Sequence, residues 1–152
     1  MTQSINQFSQ APEKGSIDLQ TQPNTVSCQV DTNEAVALVP GQAVIIDDVA
    51  GGAPIVTLAT ADTSEVFGFV MADFKDASFA AGAPVEIAAD YNVLYLESGA
   101  AIARGARVQY VVTGEKVITA VTAKTVVGIA MDKAAADGDL IRVMVKLVLV
   151  AL

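Results

Sequence analysis

The sequence VFGFVMAD at residues 66–73 has a counterpart in VVGIAMD at residues 126–132, and this pair of segments indicates how the chain is built. Each segment is a short apolar run with a glycine near its centre, followed by a methionine and an aspartate. Short runs rich in valine and isoleucine are typical of strands. A glycine inside a strand marks a bulge or a close approach of two backbones. The sequence therefore predicts two similar β units.

Further glycine turns extend the similarity on both sides of these segments. LVPGQAV (38–44) and IARGARV (102–108) precede them, and AAGAPVEI (80–87) and AADGDLIRV (135–143) follow. Glycine at such turns permits a positive φ. The paired glycines occur in the same order: Gly41 with Gly105, Gly68 with Gly128, and Gly82 with Gly138. We predict an internal repeat of about residues 35–97 and 98–152, with chance similarity within a valine-rich chain as the alternative.

Apolar runs separated by turn residues predict ten strands and at most one helical turn, at Asp132–Asp137. The strands are Ala35–Val39, Ala43–Asp47, Pro54–Thr60, Glu65–Met71, Val85–Ala89, Asn92–Glu97, Arg107–Val112, Lys116–Val121, Thr125–Met131 and Leu140–Val150. Short strands with such regular turns are typical of small barrels and sandwiches. The predicted fold is all-β, a compact β-barrel or β-sandwich built from two similar β units, with an extended N-terminal arm.

The arm is residues 1–33, and the β domain is residues 34–152. The first segment is rich in Gln, Asn, Ser and Thr and cannot bury enough apolar surface to fold alone. A disordered tail is one interpretation. The isolated apolar residues favour an arm that becomes ordered on a neighbour, since one such side chain contributes ~1.5–3 kcal/mol when fully buried. The residues predicted to make this contact are Ile5, Phe8, Ile17 and Leu19.

The last predicted strand is apolar on both faces, and such a strand is stable when both faces are buried. At a chain end this favours a subunit interface, to which we assign Val145, Leu147 and Leu149. Tyr91 and Tyr95 alternate onto one face of a strand and are assigned to the same interface, with a small ligand site as the alternative. We therefore expect a homo-oligomer.

Composition excludes several classes of partner. The net charge of −8 repels phosphate backbones and anionic membrane surfaces, so neither nucleic acid nor membrane binding is expected. The single cysteine, Cys28, cannot form an intrachain disulfide, which favours folding in a reducing cytoplasm. Its neighbours include no cation, and a small packed thiol is expected. No secretory signal precedes the first strand.

Catalytic chemistry is poorly represented in the sequence. With no histidine and one cysteine, histidine-dependent triads and the common zinc sites are excluded, and we predict neither a cofactor nor a metal. Carboxylates remain, and aspartates in turns ordinarily bond the local backbone. A calcium site or a catalytic pair is the alternative interpretation of these clusters, which are Asp47 with Asp48, Asp73 with Asp76, and Asp137 with Asp139. The sequence therefore predicts a protein that is not an enzyme.

The order and spacing of the glycine motifs resemble the small capsid cement, or head-decoration, proteins of tailed bacteriophages. The resemblance runs from Ala35 to Val145, and the arm is not matched. The matching stretches are GQAV (41–44), VFGFVMAD (66–73), GAPVEI (82–87), IARGARVQYV (102–111), KVITA (116–120), KTVVGIAMD (124–132) and DGDLIRVMV (137–145).

The resemblance implies a structural protein on the outer capsid surface of the virion, made in the host cytoplasm, that bridges neighbouring major capsid protein subunits. It favours a trimer, with dimers and monomers left open, and carries over no catalytic residue. On this interpretation the arm engages the capsid. Another virion component, such as a tail or head–tail adaptor protein, and a small β binding module remain as alternative functions.

Overall fold

The computed structural model describes residues 13–17, 25–50, 53–62, 64–73, 75–121 and 124–147. Over these residues the protein is all-β, with ten strands and no helix, which confirms the predicted fold class. The one-turn helix at Asp132–Asp137 is a wrong prediction, because Ala134 instead forms a β-bridge with Ile102. The strands are β1 (Thr25–Val30), β2 (Ala43–Ala50), β3 (Ala53–Leu58), β4 (Gly68–Val70), β5 (Pro84–Ala88), β6 (Val93–Glu97), β7 (Arg107–Val111), β8 (Lys116–Thr119), β9 (Val126–Ala130) and β10 (Leu140–Val145).

The strands form two groups of five. The first group closes into a barrel in the order β1-β3-β2-β4-β5, with β5 pairing back onto β1. The second group is a sheet in the order β6-β10-β9-β7-β8. We call β1–β5 the first unit and β6–β10 the second unit. A parallel pairing of β1 with β3 closes the first unit at Gln29 and Val30, whereas β6 and β8 meet only at the bridge from Ser98 to Val117.

The two units have the same topology and the same strand register. In the first unit Val44 lies opposite both Gly68 and Leu58. In the second unit Val108 lies opposite Gly128 and Thr119 in the same way. Two further pairs correspond. Val26 lies opposite Ile87 as Leu94 lies opposite Val143, and the bridge from Leu38 to Phe79 corresponds to the bridge from Ile102 to Ala134. Equivalent positions of the two units can therefore be assigned from pairing alone.

Turn glycines at equivalent positions make equivalent hydrogen bonds. The Gly41 amide donates to the Val70 carbonyl over 2.8 Å, and the Gly105 amide donates to the Ala130 carbonyl over 2.7 Å. Both glycines have a positive φ, 86° and 81°. The pair Gly82 and Gly138 likewise has φ of 78° and 89°. These turns require the left-handed region, which side chains larger than hydrogen disfavour.

Strand glycines at equivalent positions allow two backbones to approach closely. A Cβ at Gly68 would lie 2.5 Å from the Ala88 carbonyl oxygen. A Cβ at Gly128 would overlap the Met144 carbonyl oxygen and would lie 2.9 Å from the Val143 side chain. Each glycine therefore lets its strand pass against the neighbouring strand of its own unit.

Nine of the ten predicted strands are present with shifted ends, and the structure corrects the first one. Ala35–Val39 is not a strand, since only Leu38 pairs, through a bridge to Phe79. The true first strand is β1, which lies inside the region that the sequence analysis assigned to the arm. Cys28 and Val30 alternate into the barrel interior, and this short alternation was hidden in a polar segment.

This strand also moves the repeat boundaries. Because β1 corresponds to β6, each unit begins one strand earlier than predicted. β6 belongs to the second unit, where it pairs with β10, and not to residues 35–97. The arm is correspondingly shorter, and the barrel begins at Thr25.

Two apolar clusters form the core. One fills the closed barrel and includes Leu38, Val56 and Ile87. The other fills the second unit and also contains residues from the outer face of the first unit, namely Ala43, Phe69 and Ala88. All three are fully buried. This second cluster is therefore shared by the two units, and we call it the shared core.

An aromatic pair lies at the centre of this shared core. The Phe69 ring meets the Tyr110 ring edge-to-face, with centroids 5.8 Å apart and planes at 73°, an arrangement that aromatic pairs favour. Burial raises the pKa of the Tyr110 hydroxyl, which lies beside the backbone of Ala43 in the first unit. The pair therefore joins the two units.

The close approach at Gly128 generates a first prediction. Gly128→Ala places a methyl group against the Met144 carbonyl, and overpacking of this kind costs ~1–3 kcal/mol. We expect urea unfolding to show a loss of stability of that size. Gly105→Asn is the matched control, since Gly105 has open space around it and asparagine tolerates a positive φ. Equal losses in the two variants would contradict the close-approach explanation.

Candidate interaction surfaces

Residues 13–17 connect the two units, and we call them the strap. The Gly15 amide donates to the Tyr95 carbonyl over 2.7 Å, and the Tyr95 amide donates to the Ser16 carbonyl over 2.9 Å. On the other side, the Ala72 amide donates to the Gly15 carbonyl over 2.9 Å. Tyr95 belongs to the second unit, and Ala72 follows β4 of the first. The strap therefore adds a short extended segment to the edge of β6 and ties it to the first unit.

Gly15 is the residue that permits this connection. Its φ is +80°, and a Cβ there would lie 2.5 Å from the Gly41 amide nitrogen and 2.8 Å from Pro40. Beside it, the Ser16 hydroxyl accepts the Glu13 amide over 3.0 Å, which closes a local turn. The strap is thus seated on the glycine turn that precedes β2.

Ile17 was predicted to contact the capsid, and the structure places it inside its own chain. It forms a β-bridge with Leu94 and packs, partly buried, against the shared core. This packing removes the reason for assigning Ile17 to a capsid contact. Ile5, Phe8 and Leu19 lie outside the described residues, and their role stays a prediction.

The predicted oligomer interface of the C-terminal strand is corrected in part. Val145 is fully buried in the core of its own chain, and Leu147 packs partly buried against the same core. β10 runs between β6 and β9, so its apolar inward face needs no second subunit. Leu149 lies outside the described residues.

The two tyrosines do not share a strand. Tyr91 lies in the turn before β6, with a φ of +69°, and its side chain is 66% exposed. Tyr95 lies on β6 and is partly buried. The prediction of a common face fails because the positive φ at Tyr91 ends the alternation that a strand would have continued.

Carboxylates of the acidic clusters bond the local backbone. Asp139 accepts hydrogen bonds from the amides of Ala135 and Ala136, over 2.7 and 3.1 Å. Asp73 accepts from the Lys75 amide over 3.1 Å. Where the structure describes the chain, no three acidic or cysteine side chains come together as a metal site. These contacts are those of ordinary turns.

A shallow cleft of about 460 Å³ lies beside the strap. Its walls come from the strap, from the turn at Pro40 and from the loop after β4, and carry acidic and basic side chains. The charged lining residues are Glu13, Lys14, Asp73, Lys75 and Asp76. Glu13, the first described residue, therefore lies in the wall of this cleft.

Cys28 is a packed thiol, and its environment explains why it is inert. It points into the barrel interior with 3% of its surface exposed. Burial, and secondarily the nearby Glu86 carboxylate, raise its pKa to about 11. The thiolate that would react or bind a metal is therefore not formed near neutral pH.

Within the described ranges no helix is long and apolar enough to cross a membrane.

An ion pair on the second unit was missed by the sequence analysis. Arg142 on β10 donates through Nε and Nη2 to both carboxylate oxygens of Asp132, over 2.9 and 2.8 Å. The hydrogen bonds from Arg142 lower the pKa of Asp132 to about 2. Residues 132 and 142 meet only because β9 and β10 pair, and no local spacing rule predicts that contact.

The described residues thus present surfaces for protein contact. Two small β units pack on a shared core, and the strap forms hydrogen bonds to both. The fold is similar to that of the N base of head fiber gp8.5 in bacteriophage phi29, with a TM-score of 0.52 and 11% sequence identity, covering 83% of this chain and 96% of that chain. No curated protein matches the sequence. This similarity concerns the fold; the class of protein, a structural protein of the phage head, follows from the match of a protein family to residues 21–147.

The family follows from the sequence match. The phage cement protein family matches residues 21–147, which span both units. The chain belongs to the phage cement protein family, as the resemblance in the glycine motifs implied.

Strap geometry generates a second prediction. Gly15→Ala combines an unfavourable positive φ with a clash against the Gly41 amide, so the strap should detach. We expect faster hydrogen exchange at the amides of Ala72 and Tyr95, which bond to the strap. Gly114→Ala is the control, because Gly114 has a similar φ of 85° but no neighbour closer than 3.8 Å. Unchanged exchange in Gly15→Ala would show that the strap does not depend on this residue.

A third prediction concerns acid stability. Since the pKa of Asp132 is lowered from 3.8 to about 2 in the folded chain, its ion pair stabilises the protein above pH 4, and this contribution is lost as the pH falls toward 2. Asp132→Asn should be less stable than the natural chain at pH 6 and should lose less stability between pH 5 and pH 2. Denaturant unfolding at several pH values measures both. Asp76→Asn, at an exposed loop position, should leave the acid dependence of the natural chain intact.

Proposed function

We propose that this chain is a non-enzymatic cement protein that binds the outside of the phage head and stabilises it by bridging neighbouring major capsid protein subunits. The observation that carries the proposal is the family match, which spans the whole of both β units. We expect a bridging protein to hold its two contacts at a fixed separation. The shared core and the hydrogen bonds of the strap to both units support this role.

Charge supports a position on the outside of the head. The chain carries a net charge of −8, which opposes contact with packaged DNA. On an outer surface the same charge keeps an apolar protein soluble before it attaches. Stabilisation then comes from the protein interface added across each boundary between capsid subunits.

We further assign capsid binding to the arm. Because the strap and β1 are parts of the folded chain, we assign this role to residues 1–12, which carry Ile5 and Phe8, and keep Leu19 as a further candidate. We further propose a homo-oligomer, with a trimer favoured. Several weak arm contacts per oligomer would then combine into tight attachment through effective concentration.

The test is deletion of residues 1–12, which leaves the strap and barrel intact, whereas deletion of 1–33 would also remove β1. We expect the shortened chain to unfold at the same denaturant concentration as the full chain and to bind expanded heads at least ~10-fold more weakly, which corresponds to about 1.4 kcal/mol. In the full chain, Phe8→Ala should weaken binding and its neighbour Gln7→Ala should not. Co-sedimentation with purified heads measures the affinity.

Three outcomes separate the parts of the proposal. Undiminished binding of the shortened chain would remove the arm from the mechanism and leave the cement function in place. Failure of the full chain to bind expanded heads would overturn the cement function itself. Gold-labelled protein found at one vertex or on the tail in electron micrographs, instead of over the head surface, would favour an adaptor or tail role.

A further inference from the structure

The contact between the two units is made by positions that are not equivalent. The first unit contributes Phe69 from its outer face, and the second unit contributes Tyr110 from its inner face. Strand pairing assigns Ile129 as the equivalent of Phe69, since Phe69 lies opposite Ala43 and Ile129 lies opposite Arg107. The contact is therefore head to tail. Among the described residues, it leaves one outer face and one inner end of the same kind without a partner unit.

The unused outer face belongs to the second unit. Its central residues are Ile129 and Met144, which pair with each other as Phe69 and Ala88 do in the first unit. Phe69 and Ala88 are fully buried, whereas Ile129 and Met144 are only partly buried. Exposed Met131 borders this face. The apolar pair that is covered in the first unit is thus accessible in the second, where Arg107 and Arg142 flank it.

The glycine turn beside each outer face shows the same difference. In the first unit Lys14 of the strap covers Gly41, with its Cγ 2.5 Å from where a Cβ would stand. In the second unit the equivalent Gly105 has no neighbour within 4 Å. Among the described residues, no segment covers Gly105 of the second unit in the way that the strap covers Gly41 of the first unit.

The unused inner end belongs to the first unit. Ile46 lies opposite Val56, as Tyr110 lies opposite Val117, so Ile46 is the equivalent of Tyr110. Tyr110 is 3% exposed because Phe69 packs on it, whereas Ile46 is 44% exposed. A large apolar side chain is therefore left in water at the position where the second unit receives its partner.

We propose that copies of this chain associate head to tail, so that the Ile129–Met144 face of one copy packs on the Ile46 end of the next copy. This contact repeats between copies the one that joins the two units within a single chain. The occupant is a second copy because the chain itself already contains a folded example of the two surfaces in contact. Head-to-tail contacts generate rings where the rotation closes and filaments where it does not. The inference rests on the duplicated fold and not on capsid binding, so the two can fail separately.

Sedimentation and native mass measurement test the proposal on the full chain. The natural chain should form assemblies larger than a dimer, since each copy carries both surfaces. Ile46→Asp and Ile129→Asp should each be monomeric at concentrations where the natural chain is assembled. Val36→Asp is the control, because Val36 is 69% exposed and lies outside both surfaces, and it should assemble normally.

Mixing the two variants gives the sharpest result. Ile46→Asp retains an intact outer face and Ile129→Asp retains an intact inner end, so an equimolar mixture should form a one-to-one dimer that neither variant forms alone. Should either variant fail to fold, Ile46→Cys and Ile129→Cys replace them, and oxidation of the mixture should crosslink the two. A monomeric natural chain, a natural chain that stops at a symmetric dimer, or a mixture without dimers or crosslinks would each overturn the proposal.

Discussion

The packing of the second unit on Phe69 is the contact on which the rest of the structure depends. This ring stands on the outside of a closed barrel, where a side chain would normally meet water, and it is fully buried because the second unit packs over it. The second unit is joined between β6 and β8 by a single bridge, and its interior is covered by the first unit and by Ile17. A large aromatic ring removed from water supplies a substantial part of the energy that fuses the two units.

The asymmetry of the molecule lies in what surrounds two similar units. The strand pairs compared above have the same register in both units, whereas register shifts occur at different places, in β2–β3 of the first unit and in β7–β9 of the second. The loop after β4 is longer than its counterpart after β9, and it receives the strap through Ala72. In the second unit the shorter connection carries Asp132, which pairs with Arg142. The first unit thus binds the N-terminal segment, and the second unit carries this ion pair beside its apolar Ile129–Met144 pair.

Much of the fold could be predicted because local patterns determine it. The period-two alternation and the glycine turns identify nine strands, and the paired glycines identify the repeat, since positive φ and close backbone approach both require glycine. β1 was missed because its alternation is only six residues long and lies in a polar segment. The candidate surfaces were predicted less well. Val145 and Ile17 are apolar residues near chain ends, and composition cannot distinguish an intramolecular partner from an intermolecular one.

The sequence by itself determined an all-β chain with two similar units and without histidine chemistry, because residue type and spacing carry that information. The tertiary structure alone decided which apolar faces are satisfied within the chain. Phe69 and Ile129 occupy equivalent positions in similar strands, yet one is buried and the other is partly exposed. The difference arises because the second unit packs on the outer face of the first unit. This packing is made by residues far apart in the sequence, and no local sequence pattern encodes it.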